Sequence, residues 1–180
     1  VDPVDTEALR DAVVGARLVL IETPSNPDLR VIDIRTAVDI AHGAGALLVC
    51  DNTVPTPLLQ RPLDLGADVT WQSATKYLAG HSDVLAGVVT TRDADLVERM
   101  CDVRTHIGGA LSPDAAWLLG RGLRTLSVRL ERHCASALEL AGRGGVQIAL
   151  DEVEVRYGEL DLHGRMRIDL ALATAALPEG

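Results

Sequence analysis

The stretch Ser73-Ala74-Thr75-Lys76-Tyr77-Leu78-Ala79-Gly80-His81-Ser82-Asp83 carries the only lysine of the chain, set against 16 arginines elsewhere. A guanidinium stays protonated and cannot condense with a carbonyl. An ammonium that sheds its proton becomes a nucleophilic amine that can. Ser73 and Thr75 put two hydroxyls beside Lys76, an apolar run from Val69 to Trp71 precedes it, and Gly80 follows. This order describes an amine at the end of a strand, with small phosphate-binding donors next to it. The competing reading is a surface lysine in an arginine-rich protein.

The elements around Lys76 favour a sheet with its polar residues at one end. Asp5 to Val14 has helical spacing, with Asp5 or Thr6 as the cap. Arg17 to Glu22 is almost continuously apolar and reads as a buried strand. Thr23-Pro24-Ser25-Asn26-Pro27-Asp28 must be a loop, because two prolines exclude helix and ladder. Ile34, Ala37, Val38 and Ala41 mark a helix that ends at Gly43-Ala44-Gly45, and Ala46 to Cys50 is a second strand. Pro55 and Pro57 predict an irregular segment and Leu63 to Gly66 a turn; Asp68 to Ser73 and Val84 to Thr91 are the third and fourth strands. Strand, helix, strand, loop, strand implies parallel β-α-β units, in which ligands bind beyond the carboxyl ends of the strands. Three polar clusters fall there: Glu22 to Asn26, Asp51-Asn52-Thr53, and Ser73 to Lys76.

Helices follow. Leu96, Val97, Met100 and Val103 mark one, and Ser112-Pro113-Asp114 starts another. Leu123, Leu126, Leu130, Cys134, Ala137, Leu138 and Ala141 form one long stripe that reads as core, stopped by Gly142-Arg143-Gly144-Gly145. From Val146 the pattern alternates as strands at 153–157 and 166–170.

Composition bounds the partners. With 180 residues the chain fits one domain, able to bury roughly 70% of its unfolded surface. The core is aliphatic, since there is no Phe and the apolar fraction is 47%. A net charge of −9 argues against nucleic acid and anionic membrane. No apolar run approaches the roughly 18 residues of a membrane span. Cys50, Cys101 and Cys134 have neither disulfide nor zinc spacing, so they read as space-filling thiols of a reduced, cytoplasmic protein with no metal site. Val1-Asp2-Pro3 lacks an initiator Met and reads as a segment of a longer chain, or a processed or truncated one.

An amine that condenses with an aldehyde suits pyridoxal phosphate, an electron sink for carbanions beside an amino group. That cofactor needs a carboxylate on its ring nitrogen, donors for its phosphate, and the lysine. Asp51, the pair Ser73 and Thr75, and Lys76 fit these needs in turn. The alternative for Asp51 is a cap or a solvated strand-end acid.

Together, Glu22-Thr23-Pro24-Ser25-Asn26-Pro27, Asp51-Asn52-Thr53, Ser73-Ala74-Thr75-Lys76-Tyr77 and Gly80-His81-Ser82-Asp83 resemble the Cys/Met-metabolism PLP-dependent, or trans-sulfuration, enzymes. Arg121-Gly122-Leu123-Arg124-Thr125-Leu126, with Arg129, Glu131, Arg132 and His133 after it, resembles that family's long helix. The resemblance covers residues 1–142. It implies an α/β fold, the large domain of fold-type I PLP enzymes with a mostly parallel sheet between helices, here truncated at both ends. It implies that Lys76 is the cofactor-linked lysine and proton shuttle, that Asp51 pairs with the ring nitrogen, and that Ser73 and Thr75 bind the phosphate. Asn26 would lie near the cofactor or the substrate carboxylate, its alternative being a turn residue between prolines. The implied activity is γ-elimination from a sulfur-containing amino acid, as in cystathionine γ-lyase, with cystathionine γ-synthase or methionine γ-lyase as alternatives. The implied assembly is a homo-oligomer whose sites are shared between subunits.

The family's ring-stacking tyrosine, glycine-rich phosphate loop and carboxylate-gripping arginine have no counterpart that can be aligned, and residues 143–180 read as a divergent tail. A rival of another class is therefore a non-catalytic remnant or interaction module. A nucleotide binder is disfavoured, because no glycine-rich turn follows the first strand. His81-Ser82-Asp83 contains triad residue types but reads as loop. His42 and His133 read as surface or packing residues, and Trp71 and Trp117 as core or interface.

Overall fold

A computed structural model describes residues 5–142. Residues 5–138 belong to one compact unit, and the fold is that of this unit. The strand-like segments expected at 153–157 and 166–170 lie outside the described residues.

Helix α1 (Thr6–Ala12) starts where the Asp5 carboxylate accepts the Glu7 and Ala8 amides at 3.0 and 3.1 Å. Strand β1 (Leu18–Glu22) leads through the proline loop to α2 (Ile34–Gly43), capped by Asp33. Both X-Pro bonds of that loop, Thr23–Pro24 and Asn26–Pro27, are cis. Strand β2 (Leu47–Asp51) pairs in parallel with β1, and strand β3 (Val69–Ser73) in parallel with β2, as the β-α-β reading requires. Strand β4 (Gly87–Thr91) is shorter than the 84–91 segment expected and runs antiparallel to β3, giving the order β1-β2-β3-β4. The physical reason is the connection: Ser73 pairs with Gly87, so the lysine segment leaves and re-enters at one end of the sheet, and only an antiparallel strand can return that way.

The segment around Pro55 and Pro57, expected to be irregular, contains a one-turn helix, α3 (Thr56–Leu59), followed by a 3-10 turn at Pro62–Asp64. Pro57 sits in the first turn of α3, where a missing N–H leaves no bond unmade.

The core lies on one face of the sheet. Val19, Ile21, Leu48 and Cys50 pack with Leu9 and Val13 of α1 and with Ile34, Ala37, Val38, Ile40 and Ala41 of α2. The opposite face is open among the described residues: Leu18 and Leu20 are 54% and 59% exposed. The reading of β1 as buried on both faces is thus corrected. Its continuous apolar run reflects two apolar faces, of which one is covered here. Trp71 and Trp117, expected in core or interface, are exposed as well. Of the cysteines only Cys50 fills space; Cys101 is exposed and Cys134 half-buried.

Helix α4 (Ala94–Ile107) lies along β4 and buries no residue. The long stripe is split: α5 (Pro113–Leu123), capped by Ser112 as expected, ends before Thr125, and α6 (Leu126–Gly142) follows. Leu126 and Leu130 of that stripe are buried, while Leu138 is 74% exposed. The covered part is the part that meets the lysine turn, where Ala74, Leu78 and Leu126 pack with Tyr77 and Leu119.

Candidate active site

The three parallel strands deliver their polar ends side by side. Glu22 pairs with Asp51, and Asp51 with Trp71, so Glu22 and Asp51 share one row on the open face. Ser73 lies two residues beyond Trp71 and projects to the same side. Beyond these ends lies a cavity of about 790 Å³ lined by Glu22, Asn26, Thr53, Thr75, Lys76 and Arg129, among others. Asn26, Thr75 and Lys76 therefore meet at one cavity. Asp51 and Ser73 are not among its lining residues and reach it through Thr53, whose amide donates to Asp51 Oδ1 at 2.8 Å and whose hydroxyl accepts the Ser73 amide at 2.8 Å.

Hydrogen bonding separates the groups that hold the site together from those left for a ligand. The Lys76 amine, the Asn26 side-chain amide and the Ser73 hydroxyl have no hydrogen-bond partner among the described residues. The Thr75 hydroxyl is engaged, accepting the Ala86 amide at 3.0 Å and donating to the Ala86 carbonyl at 3.3 Å. This pair fastens the lysine turn to the approach of β4. The Asn26 backbone amide donates to Glu22 Oε2 at 3.2 Å, which fixes the proline loop over the end of β1.

A buried amide clasp supports these strand ends. Gln60 Nε2 donates to Asn52 Oδ1 and to the Thr23 carbonyl, and Asn52 Nδ2 donates to the Gln60 carbonyl, each at 2.9 Å. Thr23 is fully buried, and its hydroxyl accepts the Ile32 amide at 2.9 Å. Behind Asp51, burial pushes the Cys50 thiol up to about 12, with the Asp51 charge adding to the effect. Cys50 is a packing residue there, not a nucleophile.

The sequence motifs include Thr53 and Arg129 without giving either a role, and they pass over Gln60. The role of Thr53 could have been found in part, since the backbone amide two residues after a strand-end acid is placed to close an Asx turn, which leaves the Thr53 hydroxyl beside the strand ends. Gln60 carries no such signal. His81 Nδ1 bonds the Ala79 carbonyl at 2.7 Å and Asp83 lies 3.8 Å from Arg121, so these residues are turn structure, as expected, and form no triad. His42 pairs with Asp68 at 2.9 Å, and the rings of His133 and Tyr77 meet edge to face with centroids 5.8 Å apart. No cluster of metal-ligating side chains occurs among the described residues, and no described helix is long and apolar enough to cross a membrane.

Lys76 and Asn26 line one cavity, with the Asp51 carboxylate at the adjoining strand end, on a mixed sheet with helices, and the protein is of the α/β class. Residues 1–157 match the family model described as Cys/Met metabolism PLP-dependent enzyme, and the chain belongs to that family. The match runs past residue 142, where the resemblance read from sequence stops. The chain is 47% identical over 138 residues to the cystathionine γ-synthase/O-acetylhomoserine (thiol)-lyase of Bacillus subtilis, covering 76% of this chain and 37% of that protein. It is 47% identical over 139 residues to a putative cystathionine γ-lyase of Streptomyces coelicolor, covering 77% and 36%. Among solved structures, cystathionine γ-synthase from Xanthomonas oryzae pv. oryzae, in complex with aminoacrylate and cysteine, superposes with a TM-score of 0.74 at 44% identity, covering 80% of this chain and 38% of that one. The chain thus spans somewhat over a third of the length of these relatives.

Proposed function

We propose that residues 1–142 are the central part of the cofactor-binding large domain of a pyridoxal-phosphate-dependent trans-sulfuration enzyme, and that it eliminates the γ-substituent of a sulfur-containing amino acid. Cystathionine γ-synthase and methionine γ-lyase activities are the alternatives, and β-elimination joins them because cystathionine β-lyases are among the relatives. The observation that carries the reading is Lys76, the sole lysine, lining a cavity at the strand ends that also present Asp51.

The donor set fits the cofactor. Lys76 supplies the amine that links to it, Asp51 the carboxylate for its ring nitrogen, and Ser73 the unspent hydroxyl for its phosphate. Thr75 joins Ser73 by redirecting the longer of its two bonds, the 3.3 Å donation to Ala86. When bound, pyridoxal phosphate supplies an electron sink for negative charge at the substrate Cα. Lys76 Nζ would take the proton from Cα, hand it on, and then take one from Cβ, so that the γ-substituent can leave with the electron pair of its bond to Cγ; this requires the amine to stay within hydrogen-bond reach of both carbons. The Asn26 side-chain amide, without a partner among the described residues, orients the substrate carboxylate. The working form is a cytoplasmic homo-oligomer acting on a small amino acid, with no nucleic-acid or membrane partner.

The test is titration with pyridoxal phosphate, followed by borohydride reduction and peptide mapping. A visible band and a reduced adduct on Lys76, both lost in Lys76→Ala, are expected. An unchanged band in Lys76→Ala defeats the assignment. A folded protein that takes up no cofactor returns the chain to the interaction-module alternative. Product analysis with cystathionine, homocysteine and methionine then separates γ- from β-elimination.

A further inference from the structure

Arg129 has an arrangement that neither packing nor charge pairing accounts for. It projects from α6 into the lysine turn and is half-buried there. Its Nε donates to the Thr125 hydroxyl at 3.0 Å and its Nη1 to the Tyr77 carbonyl at 2.8 Å. Its Nη2 donates to the Gly122 carbonyl at 2.9 Å and, more weakly, to the Leu78 carbonyl at 3.4 Å. No ion pair to a carboxylate is formed by Arg129 among the described residues. One planar fork thus gathers two consecutive carbonyls directly after Lys76, plus the end of α5 and the start of α6. A lysine, with a single point of charge, could not reach all four acceptors at once.

The turn is shaped to receive this fork. Gly80 has φ +75°, and a Cβ there would overlap the Arg129 guanidinium. The turn closes on itself through Ala79 N–H to the Ala74 carbonyl at 2.9 Å and Gly80 N–H to the Lys76 carbonyl at 2.8 Å. The peptides after Lys76 are therefore held from both sides, while the Lys76 amine itself is held by nothing among the described residues.

We propose that Arg129 is a positioning residue for Lys76: its guanidinium fixes the Tyr77 and Leu78 carbonyls and so sets the turn that presents the amine to the cavity. The proposal rests on the assignment of Lys76 as the cofactor-linked lysine. It acts through backbone geometry, so charge alone does not replace it.

The test compares Arg129→Met and Arg129→Lys with the wild type in the full chain, by amide hydrogen exchange and by cofactor capture. Both variants are expected to lose protection in the 76–80 peptide by about tenfold or more, the scale of one charge-assisted hydrogen bond. The β1 and β2 peptides should stay within about twofold of wild type. At saturating pyridoxal phosphate, the rate at which borohydride-trappable Lys76 adduct accumulates should fall by about tenfold or more, with a smaller change in the half-saturating concentration, because placement affects capture more than phosphate binding. Wild-type behaviour of Arg129→Lys overturns the proposal, as it would show charge to suffice. So does unchanged protection at 76–80, or a loss spread evenly over the sheet, which would mark a general structural role. If the wild type forms no adduct on Lys76, the functional assignment fails, while the exchange pattern still decides whether Arg129 sets the turn.

Discussion

Gly122→Ala and Gly120→Ala should change stability in opposite directions, although the two glycines lie two residues apart in α5. Both substitutions gain about 0.5–1 kcal/mol from lower backbone entropy in the unfolded chain and better helix propensity. At Gly120 a Cβ meets nothing within 4 Å, so the gain stands. At Gly122 it would lie 2.8 Å from the Ala79 carbonyl carbon and Cα, and closer still to the carbonyl oxygen. Carbon atoms pack best at about 3.5–4.0 Å, so the helix and the turn must part by roughly 0.7 Å or more. The neighbour is backbone and cannot rotate away. Overpacking of this kind costs about 1–3 kcal/mol, and the difference between the two variants isolates that cost because the helical gain is common to both. Urea unfolding reads it directly: with a slope of about 1–3 kcal/mol per molar, the midpoints should differ by about 1 M. Equal midpoints, or a more stable Gly122→Ala, would refute the close approach of α5 to the lysine turn. Ala79 lies three residues after Lys76, so Gly122→Ala should also slow cofactor capture, whereas Gly120→Ala should not.

Cys50 should resist thiol reagents in the folded protein while Cys101, which is exposed, reacts at once; timed labelling with mass mapping checks the order. The Cys50 thiol rises from the ordinary 9.0 to about 12 through burial, so between those values the unfolded chain binds fewer protons than the folded one. Stability should accordingly fall as pH rises above about 9, and Cys50→Ala should remove part of that slope. Asp68 Oδ2 accepts the amide of fully buried Leu48 at 2.7 Å and pairs with His42 at 2.9 Å. Asp68→Ala strands that amide and should cost about 1–3 kcal/mol in chemical denaturation, whereas His42→Ala, which removes a half-exposed pair, should cost under about 1 kcal/mol. Equal losses would show that the ion pair, not the amide bond, is what Asp68 contributes.

The order of elements up to β3 was legible because each carries a local signal: an apolar run, a cap such as Asp5, or a proline loop. The parallel pairing of β1 to β3 followed from the same order. What went unread depends on contacts between segments far apart in sequence. Whether Leu18 and Leu20 are covered is decided by which helices pack on their face, and no periodicity within β1 records that. The break between α5 and α6 at Arg124 and Thr125 was hidden because a helical stripe continues in register across it. The α3 turn was hidden because proline excludes the interior of a helix and not its first turn.

Lys76, Asp51 and the hydroxyls beside them declared themselves through residue type alone: a sole amine among guanidiniums, and acids and hydroxyls at strand ends. By itself the sequence thus determined which groups are present and at which end of the sheet they stand. It could not decide which of them are free to act. The Thr75 hydroxyl is tied to Ala86, the Ser73 hydroxyl has no such bond among the described residues, Thr53 bridges Asp51 to Ser73, and Arg129 grips a turn some 50 residues away in the chain. Hydrogen bonds saturate, so the use of a donor at one contact removes it from another. Those contacts exist only once the strands, the turn and α6 have been brought together.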